Sequence, residues 1–254
     1  MNANPAFDLT GKTALITGGG TGLGLGMAKC FVTSGAKVIL VGRRKRELEN
    51  SCAALGKNAF ALSSDVTKLE TAPALVDAAE KLAGPISILV NNAGVHLKKP
   101  AIETSDAEFA SVIQTHVFGA FALTREVGRR MVNRKSGSIL FTASMSAFIG
   151  MPLIVAYTAA KSAYVGMVRS LATEWGPLGV RVNAIAPGWI ASEMLDQALN
   201  SDPARKAKIL GRIPMGGFGE PSDIGWAAVY LSSPAAKYVN GVVLPVDGGA
   251  AEAF

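Results

Sequence analysis

The sequence is poor in the residues that build metal centres and disulfide frameworks. It has two cysteines and two histidines among 254 residues, and their positions do not follow the ligand spacing of a zinc site. Cys30 and Cys52 both fall in predicted helices, where a small buried side chain is favoured over a disulfide. The sequence therefore predicts no metal site and no structural disulfide.

Long apolar runs are also lacking. No stretch reaches the roughly 18–20 apolar residues that a membrane span requires. The first segment, MNANPAFDLTGK, lacks the basic stretch and the following apolar stretch of a secretory signal. We therefore expect a cytoplasmic protein that does not associate with membranes.

Charged residues are sparse, at 17% of the chain, whereas hydrophobic residues make up 49%. This balance is typical of a globular domain with a large buried core. The formal net charge is +6, and the basic residues concentrate at 43–46 and at 129–135. Neither cluster is interleaved with the aromatic residues on which single-stranded nucleic acid would stack. No nucleic-acid partner is expected.

Short apolar runs alternate with longer amphipathic ones along the whole chain. We predict strands at 14–17, 37–41, 59–62, 86–91, 137–142, 180–185 and 242–246. Helices are predicted at 23–34, 44–55, 68–82, 105–134, 155–175 and 221–232. This alternation predicts an α/β fold in which a parallel sheet of about seven strands is covered by helices on both faces.

No repeat or linker divides the chain, so residues 1–254 are expected to form a single domain for cofactor binding and catalysis. The segment 189–218 breaks the alternation, because glycine and proline surround one short helical piece. Such a segment is typical of a flap that covers a site.

A glycine-rich turn, TGGGTGLG at 17–24, follows the first predicted strand and opens the first predicted helix. Glycine permits the tight turn and the close approach of the backbone to a pyrophosphate, and the helix N-terminus offers free N–H groups. Its spacing, T-G-x3-G-x-G, differs from the more common G-x-G-x-x-G. The turn predicts a dinucleotide-binding site.

Tyr157 and Lys161 are four residues apart in the run YTAAK, and Ser144 lies thirteen positions upstream. On a helix this spacing places the two side chains on one face. A lysine ammonium beside a phenol lowers the phenol pKa from about 10, and Ser144 could hydrogen-bond the reacting oxygen. A proton shuttle next to a dinucleotide points to an oxidoreductase for alcohols and ketones. Ser144 lacks the G-x-S-x-G context of a hydrolase.

Taken together, these motifs resemble the short-chain dehydrogenase/reductase family over residues 9–249. The resemblance is carried by Thr17, Gly18, Gly22 and Gly24, Asp65 and Val66, Asn91 to Gly94, Ser144, Tyr157 and Lys161, Pro187 and Gly188, and Val246 to Gly249. It implies a Rossmann-type doubly wound fold, a homotetramer, and a small carbonyl or alcohol substrate. It also implies that Tyr157 is the acid and base, that Lys161 lowers its pKa, and that Ser144 stabilises the carbonyl oxygen.

The resemblance further implies which residues hold the cofactor. The pyrophosphate turn would use Thr17, Gly18, Thr21, Gly22, Leu23 and Gly24, and adenine would contact Asp65 and Val66. Asn92, Ala93 and Gly94 would pass beneath the cofactor, and Tyr157 and Lys161 would reach the nicotinamide ribose. Pro187, Gly188, Ile190 and Ser192 would hold the carboxamide, with Ser192 in place of the usual threonine.

His116 departs from the family pattern, which commonly has an asparagine at this place in a water-linked proton path. Imidazole can donate, accept and carry a proton near neutral pH. Two interpretations stay open: His116 takes part in proton transfer as a catalytic residue, or it only replaces the hydrogen bonds of the asparagine.

The end of the second predicted strand favours NADP(H) over NAD(H). Gly42 stands where enzymes that prefer NAD place an acidic residue, and Arg43 and Arg44 can pair with a 2′-phosphate. Thr21, where many NADP-preferring relatives have a basic residue, keeps NAD(H) possible. The alternatives are an NAD-dependent sugar or polyol dehydrogenase and a dinucleotide-binding regulator without turnover.

Substrate contacts are expected from three segments, 95–97, 145–153 and 189–213. The candidate residues are His96, Met145, Ser146, Phe148, Trp189 and Met194. Most of the surrounding side chains are apolar, and His96 and Lys98 could pair with the carboxylate of a sugar acid or keto acid. No motif identifies the substrate itself.

Overall fold

The computed structural model describes residues 5–192 and 202–253, and its centre is a seven-stranded parallel sheet. The strands are β1 (Thr13–Thr17), β2 (Lys37–Gly42), β3 (Ala59–Ser63), β4 (Ile88–Asn91), β5 (Gly137–Thr142), β6 (Val180–Pro187) and β7 (Val243–Val246). Their order across the sheet is β3-β2-β1-β4-β5-β6-β7. The predicted doubly wound fold is confirmed, and each strand ends within two residues of its predicted limits.

Helices connect the strands and cover both faces of the sheet. They are α1 (Gly22–Thr33), α2 (Lys45–Leu55), α3 (Ala72–Ala83), α4 (Asp106–Ile113), α5 (Ala120–Arg134), α6 (Val155–Trp175), α7 (Pro203–Gly211) and α8 (Pro221–Ser232). The helix predicted at 68–82 begins later, because Leu69–Thr71 forms a 3₁₀ turn and Pro73 occupies the first turn of α3. Ser105 caps α4 through a reciprocal pair of bonds with Glu108.

The helix predicted at 105–134 is interrupted by a π-helical turn at Gln114–Gly119, between α4 and α5. A π-turn widens the helix by one residue and is often found beside functional sites. Thr115 and His116 lie in this turn and are buried. The turn therefore sets the direction in which His116 points.

The core has two layers, one on each face of the sheet. Neighbouring residues of a strand point to opposite faces, so Leu15 packs with α3 and α5, whereas Ile16 packs with α1 and α8. Ile39 and Leu40 divide between the layers in the same way. Burial of each such side chain contributes about 1.5–3 kcal/mol, which explains the uninterrupted apolar runs of the inner strands.

The chain order reverses between β1 and β4, which are neighbours in the sheet. Ligands of open α/β sheets bind beyond the carboxyl ends of strands at such a reversal. Thr17, at the end of β1, joins the two strands there, because its Oγ1 accepts hydrogen bonds from the backbone N–H groups of Asn92 (2.9 Å) and Ala93 (3.0 Å).

Within the described residues, no helix has the length and apolar character needed to cross a membrane.

Candidate active site

The glycine-rich turn between β1 and α1 leaves open a space that larger side chains would fill. Gly18 has φ +64°, a conformation that favours glycine. A Cβ atom on Gly24 would lie 2.2 Å from the carbonyl oxygen of Gly18, so no larger residue fits. Asn92 holds the turn from below, donating its Nδ2 proton to the carbonyl oxygen of Thr17 at 3.0 Å. The first N–H groups of α1 therefore face an open cradle suited to a pyrophosphate.

A cavity of about 550 Å³ extends from this turn to Tyr157, and its volume lies within the usual range for small-molecule sites. It brings together most of the predicted cofactor and catalytic residues: Gly18, Thr21, Leu23, Arg43, Arg44, Asp65, Val66, Asn92, Ala93, Gly94, His96, His116, Tyr157 and Lys161. Thr17 lies beneath it, and Gly22 and Gly24 belong to the adjoining turn and helix start.

Some lining residues were not predicted from the sequence. The apolar wall formed by Val41 and Leu48 comes from the end of β2 and from α2, and Ser64 and Thr67 border Asp65. Val41, Ser64 and Thr67 could have been predicted, because each is next in the sequence to a residue that was singled out. Leu48 is four residues beyond Arg44 and had no such signal. Thr142 had no signal, because it acts through its backbone carbonyl group.

One end of the cavity carries two arginines. Arg43 and Arg44 follow β2 and are exposed, and Nη1 of Arg44 lies 2.7 Å from a carboxylate oxygen of Glu47. The pKa of Asp65 is lowered, first by hydrogen bonds from Thr67 and to a lesser degree by the charge of Arg43. This end therefore presents two guanidinium groups to an anion, as the sequence predicts for a 2′-phosphate.

The other end of the cavity holds Tyr157 and Lys161, both on the first two turns of α6. Lys161 is 3% exposed, and its Nζ donates a hydrogen bond to the carbonyl oxygen of Thr142 at 2.5 Å. The same Nζ lies 5.3 Å from the ring centroid of Tyr157. Ser144 follows β5 and forms a hydrogen bond with the Tyr157 side chain. The three side chains thus converge on one point.

Burial dominates the proton equilibria of this pair. It raises the pKa of Tyr157, and the hydrogen bond from Ser144 opposes that rise. Burial lowers the pKa of Lys161 to about 7. Burial thus opposes the effect expected from the sequence, in which Lys161 lowers the pKa of Tyr157, because desolvation destabilises both the phenolate and the ammonium.

His116 lies beneath this point, 1% exposed, with its ring edge-on to that of Tyr157 at a centroid distance of 5.6 Å. Its Nε2 atom lies 2.8 Å from the carbonyl oxygen of Val95, whereas its Nδ1 atom is buried and has no partner among the described residues. Burial, with the charge of Lys161 second, lowers the pKa of His116 to about 4. A Cβ on Gly94 would lie 2.3 Å from His116 Cε1, so glycine is required there.

The segment predicted to hold the carboxamide follows β6. Pro187 ends β6 and is buried, and the backbone N–H of Gly188 donates to the carbonyl oxygen of Val246 at 3.0 Å. Ile190 forms an isolated parallel bridge with Gly219, and Ser192 is exposed. These residues do not line the cavity that contains Tyr157 and Lys161.

Two of the predicted substrate residues, Met145 and Trp189, belong to a separate apolar cluster. Met145 packs with Trp189, Ile209 and Ile213, Ser146 is buried, and Phe148 is 48% exposed. His96 instead lines the cavity, with its ring centroid 5.0 Å from that of Tyr157. Met194 lies outside the described residues. No cluster of three or more potential metal ligands occurs within 5–192 and 202–253.

Comparison with known proteins assigns the family. A family model described as enoyl-(acyl carrier protein) reductase matches residues 18–251. The chain is 42% identical to a 2-dehydro-3-deoxy-D-gluconate 5-dehydrogenase of Pseudoalteromonas atlantica, covering 96% of this chain and 97% of the relative. It is also 42% identical to a galactitol 2-dehydrogenase (L-tagatose-forming) of Cereibacter sphaeroides, covering 98% of each.

Among solved structures, the fold matches a gluconate 5-dehydrogenase from Burkholderia cenocepacia in complex with NADP and tartrate. The TM-score is 0.93 at 31% identity, and the match covers 98% of this chain and 99% of the other. The same family is indicated by the sequence match, by the parallel sheet and by the convergence of Ser144, Tyr157 and Lys161. The chain belongs to the short-chain dehydrogenase/reductase family.

Proposed function

We propose that this chain is an NADP(H)-dependent oxidoreductase that interconverts a ketone and a secondary alcohol of a sugar acid. The observation that carries the proposal is one cavity with two arginines at one end and a converging tyrosine and lysine at the other. Named relatives at 42% identity are dehydrogenases of a sugar acid and of a polyol, and a structural relative binds NADP.

The glycine cradle, Arg43 and Arg44 fit the pyrophosphate and 2′-phosphate of NADP(H), which accepts or supplies the hydride when bound. In reduction, Tyr157 donates its phenol proton to the carbonyl oxygen, and in oxidation it removes the proton of the substrate hydroxyl. Ser144 donates a hydrogen bond to the same oxygen and stabilises the charge that develops there. Lys161, anchored on the carbonyl of Thr142, places its ammonium beside the phenol.

Cofactor preference gives the direct test of this function. Changing Arg43 and Arg44 together to serine should raise the Kd for NADPH about 10–100-fold, or about 1.4–2.7 kcal/mol, because charge-assisted hydrogen bonds to the 2′-phosphate are lost. The Kd for NADH should change by less than about threefold, since NADH lacks that phosphate. Side-by-side fluorescence titration measures both constants.

The matched control is Lys57→Ser, which removes an exposed positive charge from the turn after α2. It should leave both dissociation constants unchanged. Equal binding of NADPH and NADH by the parent protein would contradict the NADP(H) assignment. It would favour instead an NAD-dependent sugar or polyol dehydrogenase.

We propose that His116 is a neutral positioning residue. Its lowered pKa leaves the ring uncharged at neutral pH, and its contact with Val95 holds the loop that follows β4. His116→Asn should then keep the pH–rate profile of the parent, whereas His116→Ala should raise KM and lower stability without shifting that profile. A shifted profile in both variants would show instead that His116 takes part in proton transfer.

We further propose that residues 1–254 act as one domain, with 189–218 as a flap over the substrate. Trp189, Ile209 and Ile213 from this segment pack against Met145, next to Ser144.

A homotetramer is supported by exposed aromatic side chains along α4 to α5, such as Phe118 and Phe121 at 50% and 43% exposure. Light scattering checks for four chains, and cell fractionation checks for the proposed cytoplasmic location.

A further inference from the structure

The loop that follows β4 places basic side chains beside the reacting end of the cavity. The ring of His96 lies 5.0 Å from the ring of Tyr157, at an interplanar angle of 45°. Lys98 follows two residues later and is close enough for its charge to affect His96. His96 lines the cavity and therefore borders the place where the carbon chain of a substrate must lie when its reacting oxygen meets Tyr157.

The positive charge at this end is not balanced by carboxylates that the structure describes. The acidic residues that line the cavity, Glu47 and Asp65, belong to its arginine end. Lys99, the next residue in the loop, is bound by Glu108 at 3.0 Å. Among residues 5–192 and 202–253, no carboxylate forms an ion pair with Lys98.

We infer that His96, with Lys98 beside it, binds the carboxylate of the substrate and makes the site selective for sugar acids over neutral polyols. This assignment rests on the function proposed above and specifies the substrate class of the same site. Percentage identity does not separate the two classes, since a sugar-acid dehydrogenase and a polyol dehydrogenase are each 42% identical to this chain.

The two side chains contribute in different ways. Partial burial lowers the pKa of His96, and the charge of Lys98 lowers it further. Both effects favour the uncharged imidazole, which offers an N–H donor rather than a cation. Lys98 supplies the charge and is exposed, so salt screens it. A carboxylate gains from both groups, whereas the CH₂OH end of a polyol gains only an ordinary hydrogen bond.

A second role for His96 would be packing alone, since its ring covers Tyr157. Two variants separate the roles: His96→Leu keeps the bulk and loses the donor, whereas His96→Gln keeps an N–H donor on a narrower side chain. The readout is the ratio of kcat/KM for an acid to kcat/KM for the polyol with CH₂OH in place of the carboxylate. Suitable pairs are D-gluconate with D-glucitol and D-galactonate with galactitol.

We expect His96→Leu to lower this ratio by about tenfold or more, through KM of the acid rather than kcat. His96→Gln should stay within about threefold of the parent. Lys98→Met should lower the ratio by about threefold and weaken its dependence on salt. Lys57→Met, which removes a distant exposed charge, should leave the ratio unchanged. Equal losses for acid and polyol in His96→Leu would overturn the assignment and leave the proposed reaction intact.

A binding measurement decides the point without turnover. Both D-gluconate and NADPH are reduced, so D-gluconate and D-galactonate can be titrated calorimetrically into the NADPH-loaded protein without reaction. We expect His96→Leu to weaken acid binding about tenfold and polyol binding much less. Acid binding that depends on His96 would support the assignment even if no alcohol were oxidised, which would refute only the proposed reaction. If neither acid binds at millimolar concentration, the assignment is wrong.

Discussion

Replacing Tyr157 with phenylalanine should lower kcat about 10²–10⁴-fold in both directions, because the variant loses the proton that the reaction moves. Phenylalanine keeps the ring and its contacts with His96 and His116. NADPH binding should therefore stay within about threefold of the parent. Initial rates with NADP⁺ and NADPH, combined with fluorescence titration, measure the two effects separately.

The control for this variant is another tyrosine on the same helix. Tyr164 is fully buried, and its hydroxyl has no hydrogen-bond partner among the described residues. Tyr164→Phe removes a hydroxyl from the same neighbourhood but keeps the ring, whose centroid lies 4.9 Å from Nζ of Lys161, and activity should stay within about twofold. If Tyr157→Phe retained a tenth or more of the parent kcat, Tyr157 would not be the acid and base.

Replacing Lys161 with methionine should have opposite effects on activity and stability. Activity should fall about 10²-fold or more, since no ammonium remains beside Tyr157. At pH 7 the free energy of unfolding should rise by about 1–3 kcal/mol, because the parent buries a charge that the variant lacks. Loss of the bond to the Thr142 carbonyl limits this gain.

The pH dependence gives a sharper form of the same expectation. The pKa of Lys161 is about 7 in the folded protein, against an ordinary value of 10.5. Between these values the unfolded chain binds more protons, so the stability of the parent rises with pH across this window. The methionine variant lacks this contribution, and its advantage should therefore shrink as the pH rises from about 7 to about 10.

Urea unfolding of both proteins at several pH values measures that difference. Lys57→Met serves as the control, because an exposed lysine has similar surroundings in the folded and unfolded chain. A constant difference between Lys161→Met and the parent would mean that Lys161 keeps an ordinary pKa in the folded protein. Lower stability of the variant at every pH would mean that the bond to Thr142 outweighs burial of the charge.

The sheet could be predicted from the sequence because its strands are buried on both faces. Runs such as ALIT at 14–17 and KVILV at 37–41 are apolar at nearly every position, and glycine or polar residues follow each one. The cofactor turn and the tyrosine–lysine pair were also readable, since both depend on fixed spacing within one element. The structure brings these motifs into one cavity.

Other features depend on contacts that leave no mark in the sequence. The π-turn at Gln114–Gly119 interrupts a stretch whose helical pattern continues without a break. The partner of Lys161 is a backbone carbonyl, which any residue at position 142 would provide. The direction of the pKa shift of Tyr157 depends on how deeply α6 packs, which residue types alone do not determine.

The strand order has a consequence for how such an enzyme can diversify. Arg43 and Arg44 follow β2, whereas His96 and Lys98 follow β4, and β1 lies between these strands. The two groups are thus separated by two strand spacings, roughly 10 Å. Substitutions that far apart usually have additive effects. Enzymes built on this sheet can therefore change their cofactor preference and their substrate preference in separate evolutionary steps, neither of which requires the other.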